Sequence, residues 1–353
     1  MVVRRHLQIR LDIMNYAQFI QIEDGHQGLI DKFDWLKASG IEDYKRKALD
    51  IFNLKKFPKK NDSQLIQQII PRTPKDFEKK ELTKSYYISN SICFIDTINW
   101  ILSAEFVEQF RVYVPEENKD TIVFNYADLF QHILFEGLYN LARYEAIILK
   151  RKPEFTGYKN PIHHSIEMHL FAKQIVFGQS SFHAFRDREP DLAVSIIRQM
   201  VEIRLRNAFG IYGLYNRKQD IFEPLPMSLI FDILKKYKDK IDLSIPLEDI
   251  IRIYGWANIY LHSGLRNEIW KIILSLRYLD TFMTGKKTQA GSSVDWGIET
   301  DQSTIKNIHN DLHKLFNNPK GFWKRLLSFA KKEKFYELVT SNPQVKLNKT
   351  NVV

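Results

Sequence analysis

Leu247-Glu248-Asp249-Ile250-Ile251-Arg252-Ile253-Tyr254-Gly255-Trp256-Ala257-Asn258-Ile259-Tyr260-Leu261-His262 reads as one helix, opened by Pro246 and stopped near Gly264. At 100° per residue, Leu247, Ile251, Tyr254, Gly255, Asn258 and His262 fall on one narrow stripe, while Arg252, Trp256 and Tyr260 point elsewhere. Asn258 and His262 are therefore expected to face the protein, one turn apart. An amide and an imidazole in an apolar setting cost a few kcal/mol unless each finds a partner, so the pair serves fold specificity or chemistry. His262 also sits in the last turn, where the carbonyl end of a helix favours the imidazolium.

The same construction on 192–212 aligns Ala193, Ile197, Met200, Val201, Ala208 and Ile211, with Arg204 near the centre of the stripe. An inward guanidinium needs an acceptor. Glu248, Glu268, Asn258 or a neutral imidazole edge are the candidates, unless the helix faces a cleft. Arg198, Glu202 and Arg206 are spaced i, i+4, i+8 and read as a surface ladder.

Working outward, the chain reads as mainly helical. Its 353 residues are 44% hydrophobic, with 24 Phe, 16 Tyr and 6 Trp but only 14 Gly and 12 Pro. That composition excludes disorder and leaves room for long elements. The expected architecture is a multi-helix bundle in two parts. Residues 1–155 form one helical domain, 156–340 a second, and 341–353 a flexible tail. One small β-hairpin is expected near 110–126, where 110–114 and 121–126 alternate apolar and polar residues around Pro115. Ser39-Gly40 reads as a helix stop, 284–304 as a mobile Gly/Ser/Thr-rich loop, and 305–317 and 321–340 as two closing helices.

No stretch has the run of some 18 apolar residues that a bilayer span needs, and the first 14 residues lack the apolar segment of a secretory signal. No membrane association and a cytoplasmic location are expected. Cys93 cannot make an internal disulfide, and among Ile92, Phe94 and Ile95 it reads as a packed small hydrophobe.

The net charge of +10 is localised. Residues 51–90 carry nine Lys and Arg against four Asp and Glu, and residues 302–353 carry ten against three. Two readings fit: solvated lysine-rich faces, or a surface for nucleic-acid phosphates. Within the second stretch, Lys320, Lys324, Arg325, Lys331 and Lys332 lie around Trp323 and Phe329 in a basic amphipathic helix, the candidate nucleic-acid contact. His163 with Glu167, and His309 with His313, have i, i+4 spacing but lack the rest of a zinc pattern, and read as polar helix faces. No phosphate-cradling loop, nucleophile elbow or dinucleotide fingerprint occurs, so no cofactor and no metal are expected.

A helix carrying Asn-x-x-x-His, following a helix with Arg and Glu across a proline-punctuated connection, resembles the HEPN superfamily of helical bundles over residues 192–283. The ribonuclease members carry Arg, four to six residues, then His, often with a polar residue directly after the Arg. Asn258 and His262 match the polar residue and the His, whereas Ala257 stands where the Arg belongs. The resemblance implies an RNA-associated protein of toxin–antitoxin, antiviral-defence or mobile-element type, and a homodimer. If it is a metal-independent ribonuclease, His262 is the general acid or base, Asn258 orients it, and Arg204 (or Arg266) holds phosphate. The alternative is a non-catalytic module that binds a protein partner, in which Asn258, His262 and Arg204 form a buried network fixing helix register.

Overall fold

The computed structural model describes residues 35–103, 119–153, 192–216, 220–223, 225–263, 266–285, 297–317 and 336–347. Among them are ten α-helices and two three-stranded sheets, a mainly α fold. None of these helices is long and apolar enough to cross a membrane. The chain divides into two compact units, one of residues 1–193 with 259–274, the other of 194–258 with 275–353.

In the first unit, a π-helical turn at Leu36–Gly40 runs directly into α1 (Ile41–Ile51). Gly40, expected to end a helix, continues one. Its hydrogen lies against the Trp35 ring, where a Cβ would sit 2.5 Å from Cζ3, so the glycine is there for the close approach of the indole. α2 (Asp62–Ile69) starts at a capping box formed by Asn61 and Gln64, and α3 (Pro74–Glu81) at Thr73, with Pro74 in its first turn. α4 (Lys84–Ile101) is rich in isoleucine, a modest helix former, yet it is apolar on almost every side and becomes the buried helix of the unit.

α5 (Lys119–Ile147) overturns the expected hairpin: Thr121–Tyr126 is helical, and residues 110–118 lie outside the described residues. Six alternating residues are too short to specify a strand. Inside 29 residues without proline, helix propagation adds a backbone hydrogen bond for each residue and prevails. α4 and α5 are joined by buried polar contacts. Asn140 Nδ2 donates to Tyr87 O at 3.1 Å and Ser91 Oγ at 3.0 Å, and the Tyr44 hydroxyl lies 3.0 Å from the same Ser91. Desolvation raises the Tyr44 pKa well above a free phenol's, which keeps the hydroxyl neutral in this network.

The second unit begins inside α6 (Leu192–Ala208), at Val194. This helix stops four residues before the expected end because Gly210 takes φ +60°, and a Cβ there would sit 2.2 Å from Ser341 O. β1 (Ile211–Asn216) then pairs antiparallel with β2 (Ile221–Glu223). α7 (Met227–Lys236), β3 (Asp242–Leu243), α8 (Leu247–Ser263) and α9 (Ile269–Thr284) follow. β4 (Ile298–Thr300) and α10 (Gln302–Asn317) replace the end of the expected mobile loop, while 286–296 lie outside the described residues. β5 (Tyr336–Thr340) pairs antiparallel with β1 where a helix was expected to finish. Tyr, Val and Thr suit a pleated ladder, and the free edge of β1 selects that state. β6 (Lys346–Leu347) pairs parallel with β4, and Val345 is buried, so the first part of the expected flexible tail is held in the fold.

Asp301 caps α10, accepting from Thr304 N at 2.8 Å and Thr304 Oγ1 at 2.7 Å. The Ser303 and Thr304 hydrogen bonds hold its pKa down to about 2. Because the folded value lies below the unfolded one, the contribution is present above about pH 4 and is lost as pH falls toward 2. Asp301→Ala is expected to cost about 1 kcal/mol at neutral pH in urea unfolding, and less than half of that at pH 2.5.

Candidate functional site

α8 turns inward a wider face than the narrow stripe: Ile251 and Tyr254 on the stripe are buried, and so are Asp249, Ile250, Ile253, Trp256, Ala257 and Tyr260 off it, while Asn258 is half-buried and His262 is exposed. Trp256 and Tyr260, expected to point away, carry large apolar surfaces whose burial widens the inward face. The Asp249 carboxylate, fully buried, accepts from the Tyr278 hydroxyl at 2.6 Å.

Arg204 is only 2% exposed. Its Nε donates to Phe282 O at 3.2 Å and its Nη1 to Gln344 O at 3.0 Å, with the guanidinium 5.7 Å from the centre of the Phe282 ring. Both of these acceptors are backbone carbonyls, whereas the sequence pointed to side-chain acceptors. Phe282 O belongs to the last turn of α9, where carbonyls have no partner within the helix, so Arg204 caps that helix end with a cation that its dipole favours. The guanidinium is turned inward and is not presented to a phosphate.

Asn258 meets a different arginine. Arg198 Nε donates to Asn258 Oδ1 at 2.6 Å, and its guanidinium lies 5.4 Å from the Tyr254 ring centre. Burial raises the Tyr254 pKa, partly opposed by the Arg198 charge. Glu202 lies 3.6 Å from Arg198 and accepts from Arg206 Nη2 at 2.9 Å. Arg206 also donates to Tyr212 O at 3.2 Å and to Leu225 O. The ladder expected on the surface is therefore buried at its Arg206 end, where it ties α6 to the β1–β2 hairpin. His262, at the end of α8 that belongs to the first unit, is exposed, and Arg266 in the same unit is half-buried.

His309 Nε2 lies 2.7 Å from Phe209 O, a structural contact, and His313 is exposed. Among the described residues, no group of three or more His, Cys, Asp and Glu side chains has metal-site geometry. Cys93 is buried and in no disulfide, as expected. Lys320, Lys324, Arg325, Lys331 and Lys332, and likewise His163 and Glu167, lie outside the described residues.

Two features of the first unit emerge only from the fold. One is a buried charge cluster. Lys271, 3% exposed, pairs with Glu268 at 2.6 Å and donates to the Tyr86 hydroxyl at 2.9 Å. Burial alone would lower the Lys271 pKa, yet Glu268 and Tyr86 raise it above that of a free lysine, so the ammonium stays charged. Beside it, Arg143 pairs with Glu81 at 2.7 Å, and burial raises the Glu81 pKa against the pull of Arg143 and Lys271. The same end of α9 is held by Glu136 Oε2, which accepts from Ile269 N at 2.9 Å, and by Trp270 Nε1, which donates to Asn90 Oδ1 at 2.9 Å.

The other feature is the basic stretch 55–84. Lys55, Lys56, Lys59, Arg72, Lys75, Lys79 and Lys84 are all exposed. Two of its four carboxylates are engaged: Glu81 pairs with Arg143, and the Asp76 carboxylate accepts from Arg72 N. The positive excess visible in composition is thus concentrated at the surface.

The fold and these sites define a mainly helical, basic protein of two units. No known protein family, curated protein or solved structure matches the chain.

Proposed function

We propose that this is an RNA-associated protein that binds the phosphate backbone through residues 55–84 of its first unit and does not cut it. The observation that carries this reading is the outward display of seven cations in a stretch with four carboxylates, two of them engaged in the fold. Each cation that neutralises a phosphate releases a counterion, the dominant source of affinity for nucleic acid. The HEPN-like stretch 192–283 enters the proposal as a non-cleaving relative of the toxin and defence type. Ala257 at the arginine position of the motif, and Arg204 committed to backbone carbonyls, speak against phosphate activation there. Asn258 serves the Arg198 and Tyr254 contacts of its unit.

The test is titration of the full chain into a fluorescein-labelled 20-nucleotide RNA between 50 and 200 mM salt. Affinity should fall with a log–log slope of about −0.7 per phosphate contacted. The triple variant K55E/K56E/K59E should weaken binding at least tenfold and flatten the slope, and wild type and His262→Ala should both leave the RNA intact without metal. Salt-independent binding, or no binding, overturns the phosphate reading. Metal-free cleavage that His262→Ala abolishes overturns the non-cleaving part.

A second reading, a protein partner, is favoured by Tyr212, Ile221 and Phe222, all about half exposed on the β1–β2 hairpin of the second unit. A second copy of the chain is the simplest such partner. Solution mass checks it: a dimer that Phe222→Lys dissociates supports this reading.

A further inference from the structure

The basic stretch opens with a segment whose geometry is more specific than its charge. Between α1 and α2, residues 54–61 belong to no helix or strand. The segment is pinned at both ends. Asn53 takes φ +49°, with its N–H on Asp50 O at 2.9 Å and Leu54 N on Leu49 O at 2.9 Å, which turns the chain sharply out of α1. At the far end Asn61 closes the capping box of α2, and Lys60 Nζ donates to Ser89 Oγ at 2.8 Å and to Gln68.

Between the pins, burial recurs every third residue. Leu54, Phe57 and Lys60 are half-buried, while Lys55, Lys56, Pro58 and Lys59 are exposed. The chain bends at Lys55 and Lys56, and Phe57, half-buried between exposed lysines, is partly covered and partly open to solvent.

An ordered aromatic ring between outward lysines suits one kind of nucleic acid best. Every base has a π-face that stacks on phenylalanine without hydrogen-bond readout, but only an unpaired base is free to leave its own stack and do so. Lysine, a compact charge on a flexible stem, follows a backbone without demanding a fixed groove. We propose that Lys55–Lys60 is a seat for single-stranded nucleic acid, with one base stacked on Phe57 and the flanking phosphates on Lys55, Lys56 and Lys59. This inference rests on the phosphate-binding reading above and adds to it a preference for single strands and the residue that carries that preference.

The experiment uses the full chain with a labelled 12-nucleotide oligouridine and a 12-base-pair RNA duplex as probes. Phe57→Ala should weaken oligouridine binding by about 5- to 100-fold, the range for loss of one stacked base, while leaving duplex affinity and the salt slope unchanged. Phe57→Trp should bind oligouridine at least as tightly as wild type, with indole fluorescence quenched on binding. Phe57→Leu keeps the seated apolar contact and removes the π-face; it should lose affinity as Phe57→Ala does, and it decides the matter if the alanine variant does not fold. Oligouridine affinity within twofold of wild type for a folded Phe57→Leu, or equal losses on both probes, overturns the stacking seat even while K55E/K56E/K59E still weakens binding. Tighter wild-type binding to the duplex overturns the single-strand preference. Wild type that binds neither probe overturns the underlying phosphate reading together with this one.

Discussion

Arg204→Ala is expected to destabilise the second unit by about 4 kcal/mol, read as a lowered urea midpoint. Two losses add. Phe282 O and Gln344 O give up buried donors, each at about 1–3 kcal/mol, and the side chain leaves a void against the Phe282 ring. Arg204→Met fills the void without supplying donors, so it should recover only part of the loss. The same pair of variants separates the two roles open for this residue. A phosphate ligand at the surface would lose RNA affinity with a stability change within about 0.5 kcal/mol, whereas an inward cap on α9 loses stability with RNA affinity unchanged in whatever fraction remains folded.

Lys271→Ala in the first unit should be nearly as severe, about 3–5 kcal/mol, because removing one partner of a buried pair strands the other. Glu268 and the Tyr86 hydroxyl lose their cation, and Glu81 loses one of the two positive charges that oppose its desolvation. A pH dependence follows. The folded pKa of Glu81, already raised by burial, rises further without Lys271. A carboxyl whose folded pKa exceeds its unfolded one loses stability as pH climbs from the unfolded value through the folded one. The variant should therefore be more destabilised at pH 8 than at pH 4, measured against wild type at each pH. Adding Glu268→Gln to Lys271→Met should return part of the loss, since a buried pair replaced on both sides costs less than one broken on one side.

The helices were legible in the sequence wherever apolar period and punctuation agreed. α8 runs from the residue after Pro246 to the residue before Gly264, as those two punctuating residues predict. The strands were not. β1, β5 and β6 are short segments that become strands only by pairing, and β5, one of the two partners of β1, lies more than a hundred residues away. A six-residue alternation at 121–126 stayed helical. Local pattern measures what a segment favours by itself, and a strand has almost no local reward.

For the candidate site, residue type was readable and direction was not. Arg204 was recognised as buried and in need of acceptors, but those acceptors are backbone carbonyls, which exist at every residue and leave no trace in side-chain pattern. Asn258 was recognised as an inward-leaning amide, yet its guanidinium comes from Arg198 rather than Arg204. His262, in the last turn of α8, ends on the surface. Lys271 carried no signal, since a lysine in a helical segment ordinarily faces water.

Composition and period alone establish a helical, aromatic-rich, basic chain with its charge gathered in two stretches, because burial energy and charge density are sums over residues and do not depend on which residues meet. How wide a face of α8 turns inward, which carbonyls receive Arg204, and which lysine is buried with a carboxylate belong to the tertiary structure. Those outcomes hinge on single contacts between residues far apart in the chain, each worth a few kcal/mol and each decided by the fit of its neighbours.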